Sequence, residues 1–340
     1  MHDRVISICR DFREFYQTKE PGAWLYDNRC LRLFLEMKVV APAYYNRFAC
    51  ISSACRHSCC VGWEVDIDAD TLALYDTIDS PLGDKIRASI ERDCVPHFRL
   101  GEGERCPHLC ESGLCNIIIE CGESALSQIC RDHPRYRNYY DGVVEVGLGL
   151  SCEEATRIAI SADVGFLVSD SEDMTDAVHF DEYPAEIFSE DDFPLVEEKR
   201  RLLKFSADKG VSVEKKLSTL LPDIPTIDEI KELFLSLEIL DEEWKTRIEA
   251  VSAEDFCLDL EEISDYIENI LTAMIYRHLN TESFYAPSVI AAFAALSARV
   301  VVALSPNAED VLDTLRAYSA EIEYSVENTE RVFDFLEEFI

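Results

Sequence analysis

Basic residues are scarce in this 340-residue chain: 32 Lys and Arg stand against 67 Asp and Glu, a formal net charge of −35. That deficit argues against nucleic acid and anionic membrane surfaces as partners, since both are polyanions that such a field repels. It is also uneven. Positions 1–150 hold 23 acidic and 17 basic residues, a net of −6, whereas 151–340 hold 44 and 15, a net of −29. The second half suits a basic or lysine-presenting protein partner, although solvated acidic helix faces give the same composition. The opening "MHDRVISICRDFREFYQ" is not expected to act as a secretory leader, having charges throughout and no apolar core with a small-residue cleavage site. No segment reaches the roughly 20 apolar residues of a membrane span. The nearest, "VIAAFAALSARVVVAL" (289–304), contains Arg299 and reads as a buried central helix. Internal repeats and low-complexity tracts are absent too. The expectation is a soluble, cytoplasmic protein of one large or two modest domains.

Cysteine is what the chain has in excess. Eleven of its fourteen cysteines lie between Cys50 and Cys152, and "CRHSCCVGW" (55–63) places three within six positions. In a reducing cytoplasm, crowded thiols ligate metal or do redox work more often than they form disulfides. The spacing runs Cys50-x4-Cys55-x3-Cys59-Cys60, then Cys106-x3-Cys110-x4-Cys115, Cys121, Cys130 and Cys152. Neither a paired CxxC zinc ribbon nor a CxxxCxxC triplet occurs. Thiolates suit an iron–sulfur cluster or tetrahedral zinc, and spacing leaves the two open. His57, His97, His108 and His133 lie in the same stretch as possible substitutes for a thiolate in a zinc site. "VGLGLS" sets Gly147 and Gly149 between a strand and a helix, but it lacks the third glycine and the later acidic partner of a dinucleotide loop.

The pattern predicts a mainly α fold in which a cysteine-rich N-terminal module with a few short strands precedes an acidic helical region. The ordered core is expected to begin near Met37. Residues 1–36 read as an extension without targeting logic: either an added helix packing through Leu31, Leu33, Phe34 and Leu35, or an over-extended reading frame ahead of an initiating Met37. Residues 37–168 form the cysteine-rich module, 169–194 an acidic linker and 195–340 a helical domain. "WEVDID" (63–68) and 142–151 are expected strands. Asp68 or Asp70 is expected to cap a helix to about Ile78, and 82–93 to form another. Ser151-x-x-Glu154 has the form of a capping box opening a helix to about Val168. Thr226-x-x-Glu229 opens an amphipathic helix with Ile227, Ile230, Leu233, Phe234 and Leu237 on one face. Further helices are expected near 254–280, 286–304, 308–320 and 325–339.

Four stretches carry a resemblance: "FACISSACRHSCCVGWEVDID" (48–68), "CPHLCESGLCNI" (106–117), "CRDHPR" (130–135) and "LSCEEATR" (150–157). In order and spacing, over about residues 37–165, they resemble the bacterial flagellin lysine N-methyltransferases. The cysteine layout is also similar to that of small zinc- or iron-chelating proteins. The resemblance implies a 4Fe-4S cluster and methyl transfer from S-adenosylmethionine to lysine ε-amines of flagellin. Carried over by position, the implied metal ligands are Cys50, Cys55, Cys59, Cys60, Cys106, Cys115, Cys130 and Cys152. Eight exceed what one cluster needs, so some are structural or serve a second site. Ser127 stands where many relatives have cysteine, His133 replaces a tyrosine, His108 a phenylalanine and Glu153 a proline. Cys110 and Cys121 read as packing thiols. Arg131 and Arg135 flank the "CRDHPR" turn and are candidates to clamp the methyl donor's carboxylate, with a structural salt bridge the competing role. Tyr136, Tyr139 and Tyr140 are candidate proton acceptors, with no base assignable.

Overall fold

A computed structural model describes residues 37–92, 95–252 and 263–340. The expectations for residues 1–36, with Cys9 and Cys30, lie outside the described residues, as do Cys94 and Cys257.

The fold is mainly α and is organised around one mixed sheet. Strand β1 (Lys38–Pro42) is followed by helices α1 (Ala69–Thr77) and α2 (Pro81–Ser89) and a short ribbon of β2 (Ile90–Glu91) and β3 (His97–Phe98). Short helices α3 (Asn116–Cys121) and α4 (Gln128–Asp132) lead to a hairpin of β4 (Arg135–Tyr140) and β5 (Val143–Leu148). Helix α5 (Glu153–Ile160) and strands β6 (Phe166–Ser169) and β7 (Val178–Phe180) complete the sheet, in the order β4-β5-β1-β6-β7. β1 runs parallel to β5, with Lys38 opposite Val143, and antiparallel to β6, with Pro42 opposite Phe166. Both faces of β1 are covered, which explains its unbroken apolar sequence. Val40 faces the large helical core, while Val39 and Ala41 pack with Val146, Leu167 and Ala155 on the other side.

The helical half comprises α6 (Phe193–Ala207), α7 (Val213–Leu220), α8 (Ile227–Ser236), α9 (Glu242–Ala250), α10 (Ser264–His278), α11 (Pro287–Ala303), α12 (Val311–Tyr318) and α13 (Val326–Leu336). α11 is the apolar segment expected to be central, and nearly all of it is buried. The Thr226–Glu229 capping box closes in both directions, and Ile230, Leu233, Phe234 and Leu237 are buried from the predicted face. α10 ties the helices to the sheet: the Tyr276 hydroxyl donates to Val40 O at 2.9 Å and Val146 O at 3.2 Å.

Four local expectations need correction. The residue capping α5 is Cys152, not Ser151, and it closes no capping hydrogen bond; the Ser151 hydroxyl serves Tyr324 instead. That helix ends at Ile160 rather than Val168, because Phe166–Ser169 satisfies the open edge of β1 as a strand. "WEVDID" makes only an isolated bridge, Asp66 to His97. The acidic stretch 169–194 supplies β7 and the buried side chains of Tyr183, Ala185 and Phe188.

A buried ion pair joins the sheet to the helices. Glu145 of β5 and Lys199 of α6 have no exposed side-chain surface, and Lys199 Nζ sits 2.6 Å from Glu145 Oε2 and 2.8 Å from Oε1. The hydroxyls of Tyr140 and Tyr183 and the amide of Asn138 also donate to that carboxylate. The ammonium lies 4.7 Å from the ring centre of Tyr276. Burial lowers the Lys199 pKa against the pull of Glu145. A buried pair so well satisfied is costly to break from one side, because the surviving charge stays desolvated. Lys199→Met is therefore expected to destabilise the protein by about 3–5 kcal/mol in urea unfolding, and adding Glu145→Leu to recover a large part. A loss under about 1 kcal/mol in the single variant would contradict this reading of the pair.

Candidate metal centre

Residues between Val65 and Cys130 close a hydrophobic cluster of their own. Tyr75, Ile86, Phe98 and Ile117 lie at its heart, Cys106 is buried within it, and Cys60, Cys115, Cys121 and Cys130 pack against it. Local hydrogen bonding positions the thiols. Asp68 accepts the Thr71 N–H at 3.0 Å to cap α1 and the Gln128 N–H at 2.8 Å. One carboxylate thus anchors both α1 and the start of α4, which carries Cys130. The Cys106 N–H donates to Cys60 O at 2.8 Å, joining the two cysteine loops. Between Cys110 and Cys115 the chain turns through Gly113 at φ +80°, where glycine carries no steric penalty. Asn116 N then bonds His108 O, folding Cys115 back toward Cys106.

Cys60, Cys106, Cys115 and Cys130 are close enough to affect one another's ionisation. Burial pushes the Cys106 thiol up to about 12 and Cys130 to about 11, and Cys115 rises for the same reason, each helped by neighbouring thiolates. Cys60 moves the opposite way, because the Cys59 thiol donates a hydrogen bond to it and Ser58 and Arg105 favour its charged form. Two buried polar atoms beside this set, Tyr75 Oη and His108 Nδ1, have no hydrogen-bond partner among the described residues. Tyr75 feels Cys130, Cys115 and Cys106, and the Ser127 hydroxyl bears on Cys130. Orphaned donors in a core are costly unless something accepts from them. Four thiols with an unpartnered Tyr75 hydroxyl beside them are of the soft-donor type that thiolate-bound metals use, although among the described residues they are not closed up as a ligand set.

The other four sequence candidates lie outside that cluster. Cys50 and Cys59 are exposed, while Cys55 and Cys152 are half-buried. Cys110 bonds the Ser112 hydroxyl at 3.0 Å, and Cys121 packs on the hydrophobic cluster. The ten described cysteines are all free thiols. Among the described residues no group of three or more His, Cys, Asp or Glu side chains is closed up as a ligand set for a metal ion. His108 is buried, with Nε2 3.0 Å from the Ser89 hydroxyl, and burial lowers it to about 4, as it does His133. Arg131 donates to Ser124 O at 3.3 Å, and Arg135 stacks over Phe48 and Tyr45 at 5.2 and 5.9 Å.

A second polar cluster, unnoticed in the sequence, borders the strand end at Gly147 and Gly149. Arg277 lies between the rings of Tyr136 and Tyr324, 5.1 and 5.3 Å from their centres. A Cβ on Gly147 would meet Tyr136 Oη at 2.3 Å, and one on Gly149 would meet Tyr324 Oη at 2.5 Å. The glycines therefore admit tyrosine rings. Glu323 takes His278 Nε2 at 2.8 Å and Arg277 Nη1 at 3.3 Å. Burial alone would raise Glu323, but Arg277 and His278 hold it down to about 2. Burial lowers His278 below its usual 6.5.

A search of family models matches none to the chain, and no solved structure matches it. The lysine-N-methylase of Salmonella typhimurium is 33% identical over 132 residues, 36% of this chain and 32% of that protein. The Salmonella choleraesuis lysine-N-methylase is 33% identical over 134 residues. The flagellar biosynthetic protein FliU of Salmonella muenchen is 31% identical over 132 residues, 76% of its length. This is a mainly α protein with free thiols gathered beside a mixed sheet. The chain belongs to the family of FliU and the lysine-N-methylases. It spans about a third of the length of the lysine-N-methylases it matches.

The Glu323 cluster gives a prediction with a definite sign. A carboxylate held below its ordinary 4.5 contributes stability above that pH and loses it as pH falls toward 2. A histidine held neutral adds a loss below 6.5. The urea midpoint is expected to fall continuously from about pH 6.5 to about pH 3, and Glu323→Gln to flatten the part below about pH 4.5. An unchanged acid slope in that variant would contradict the assignment.

Proposed function

We propose that this protein is a protein-lysine N-methyltransferase that moves methyl from S-adenosylmethionine to flagellin lysines, with Cys60, Cys106, Cys115 and Cys130 holding a 4Fe-4S cluster. The carrying observation is the kinship with FliU over 76% of that protein. The cluster assignment is supported by the four thiols gathered on one hydrophobic cluster beside the unpartnered Tyr75 hydroxyl. When bound, such a cluster supplies thiolate-ligated iron whose potential is tuned by hydrogen bonds to its sulfurs. The chain's own groups do the rest. With a cluster held there, Tyr75 and Ser127 would be the groups able to donate toward its sulfurs, and Ile117, Leu126 and Phe98 bury the thiols. Arg131, next to Cys130 in the chain, and Arg135, stacked over Phe48 and Tyr45, are the guanidiniums offered to the methyl donor's carboxylate. The acidic half, net −29 beyond residue 150, draws in a lysine-bearing surface. No helix among the described residues is long and apolar enough to cross a membrane.

The test is direct. Protein purified without oxygen, mixed with flagellin and S-adenosylmethionine, is expected to yield methylated lysines detectable by mass spectrometry. Cys115→Ser should lose bound iron and methyl transfer together, and flagellin binding should weaken as salt rises. A colourless protein with stoichiometric zinc and no methyl transfer would overturn the reading.

A further inference from the structure

Among the large hydrophobic side chains of the described residues, Phe284 alone is fully exposed. It stands on the loop between α10 and α11, and that loop is fixed on both sides of it. Ahead of Phe284, the Thr281 hydroxyl donates to Tyr139 O at 2.7 Å and Asn280 Nδ2 to Arg277 O at 3.0 Å. The Glu282 N–H closes the turn on Asn280 Oδ1 at 2.9 Å. Behind it, the Tyr285 hydroxyl donates to Asp334 Oδ1 at 2.7 Å, and the Tyr285 ring lies 4.8 Å from that of Phe333. Pro287 then opens α11. The ring of Phe284 is thus held out in water by a braced backbone, where a single apolar side chain gains nothing for the fold.

The anchor at Tyr285 also sets what lies beside that ring. Val326, Glu330, Asp334 and Glu337 recur at helical spacing along one exposed face of α13 and the turn after it. Tyr285 Oη meets this face at Asp334 and lies 3.4 Å from Glu330 O. Arg331, the one cation of α13, is turned away and donates to Ser236 O and Oγ at 2.6 and 2.8 Å. The surface is therefore apolar at Phe284 and Val326 and negative at Glu282, Glu330, Asp334 and Glu337.

We propose that this surface is where the lysine-bearing protein substrate docks, through a segment that offers an apolar pocket to Phe284 and lysine or arginine side chains to the carboxylates of α13. The inference rests on the substrate reading above and gives that substrate a place on this chain. Charge selects the occupant. A second copy carries the same −35 and would set like charges against like, whereas a basic rim is attracted by each carboxylate. The braced aromatic supplies the anchor, since a rigid ring buries much apolar area at small entropic cost. The exposed carboxylates around it act on association rate and salt dependence more than on final affinity. None of these residues belongs to the proposed metal centre or the methyl-donor site, so docking and chemistry separate by substitution.

Purified flagellin is titrated into the full chain at low and at physiological salt, and methyl transfer to it is measured alongside. Phe284→Ala is expected to weaken binding about tenfold at both salt concentrations. Its circular dichroism and melting temperature should stay unchanged, because the side chain buries nothing. Glu330→Lys with Glu337→Lys should weaken binding most at low salt and flatten the salt dependence. In both variants KM for flagellin should rise while kcat holds. Unchanged flagellin affinity in Phe284→Ala would overturn the docking surface. So would a dimer of the unsubstituted chain that this substitution dissociates, since the occupant would then be a second copy. Flagellin binding that both variants weaken, without methyl transfer by the unsubstituted chain, would overturn the methylation reading and leave the docking surface standing. Absence of flagellin binding by the unsubstituted chain would overturn both.

Discussion

Sulfur held out of water is the constraint on which the cysteine-bearing part of this protein depends. A thiol at Cys106 or Cys130 resists ionisation because burial penalises the anion and neighbouring thiolates add to the penalty. A structure gains nothing from crowding such groups unless a cation makes the anions worth having. Tyr75 makes the same point from the polar side, with a buried hydroxyl that finds no hydrogen-bond partner among the described residues. Metal would answer both, giving the thiolates a counter-charge and the hydroxyl a sulfur acceptor.

The rest of the fold keeps that arrangement in place. Asp68 ties α1 to α4 and so fixes Cys130. Strand β5 then leads directly into the turn bearing Cys152, and its position is set by the buried Glu145–Lys199 pair and by Tyr276 reaching across from α10. Arg277, stacked between Tyr136 and Tyr324, fills the space beside Gly147 and Gly149. The helical half therefore supports the strand that delivers one cysteine, while the cysteine loop is strapped back to it through Arg56, Glu153 and Asp313.

How much of this could be read in advance depends on the range of the interaction. The Thr226 capping box was legible because every atom of it lies within four residues. The central helix α11 was legible because a run of apolar residues needs burial wherever it occurs. The cysteine spacing drew attention to one segment, and Cys60, Cys106, Cys115 and Cys130 of that segment lie on or against one hydrophobic cluster. By contrast, "GFLVS" looked like the end of a helix, because its partner β1 lies more than a hundred residues earlier in the chain. Glu145 and Lys199 were invisible for the same reason: a charged residue in a strand reads as solvent-facing until a partner 54 residues away is seen.

The central proposal is that sulfur from these cysteines surrounds a metal. X-ray absorption at the metal edge of anaerobically purified full-length protein tests it most directly. The account predicts a first coordination shell of sulfur alone, at about 2.3 Å if the metal is zinc, with iron giving in addition the metal–metal scattering of a cluster. A first shell dominated by nitrogen or oxygen would contradict it.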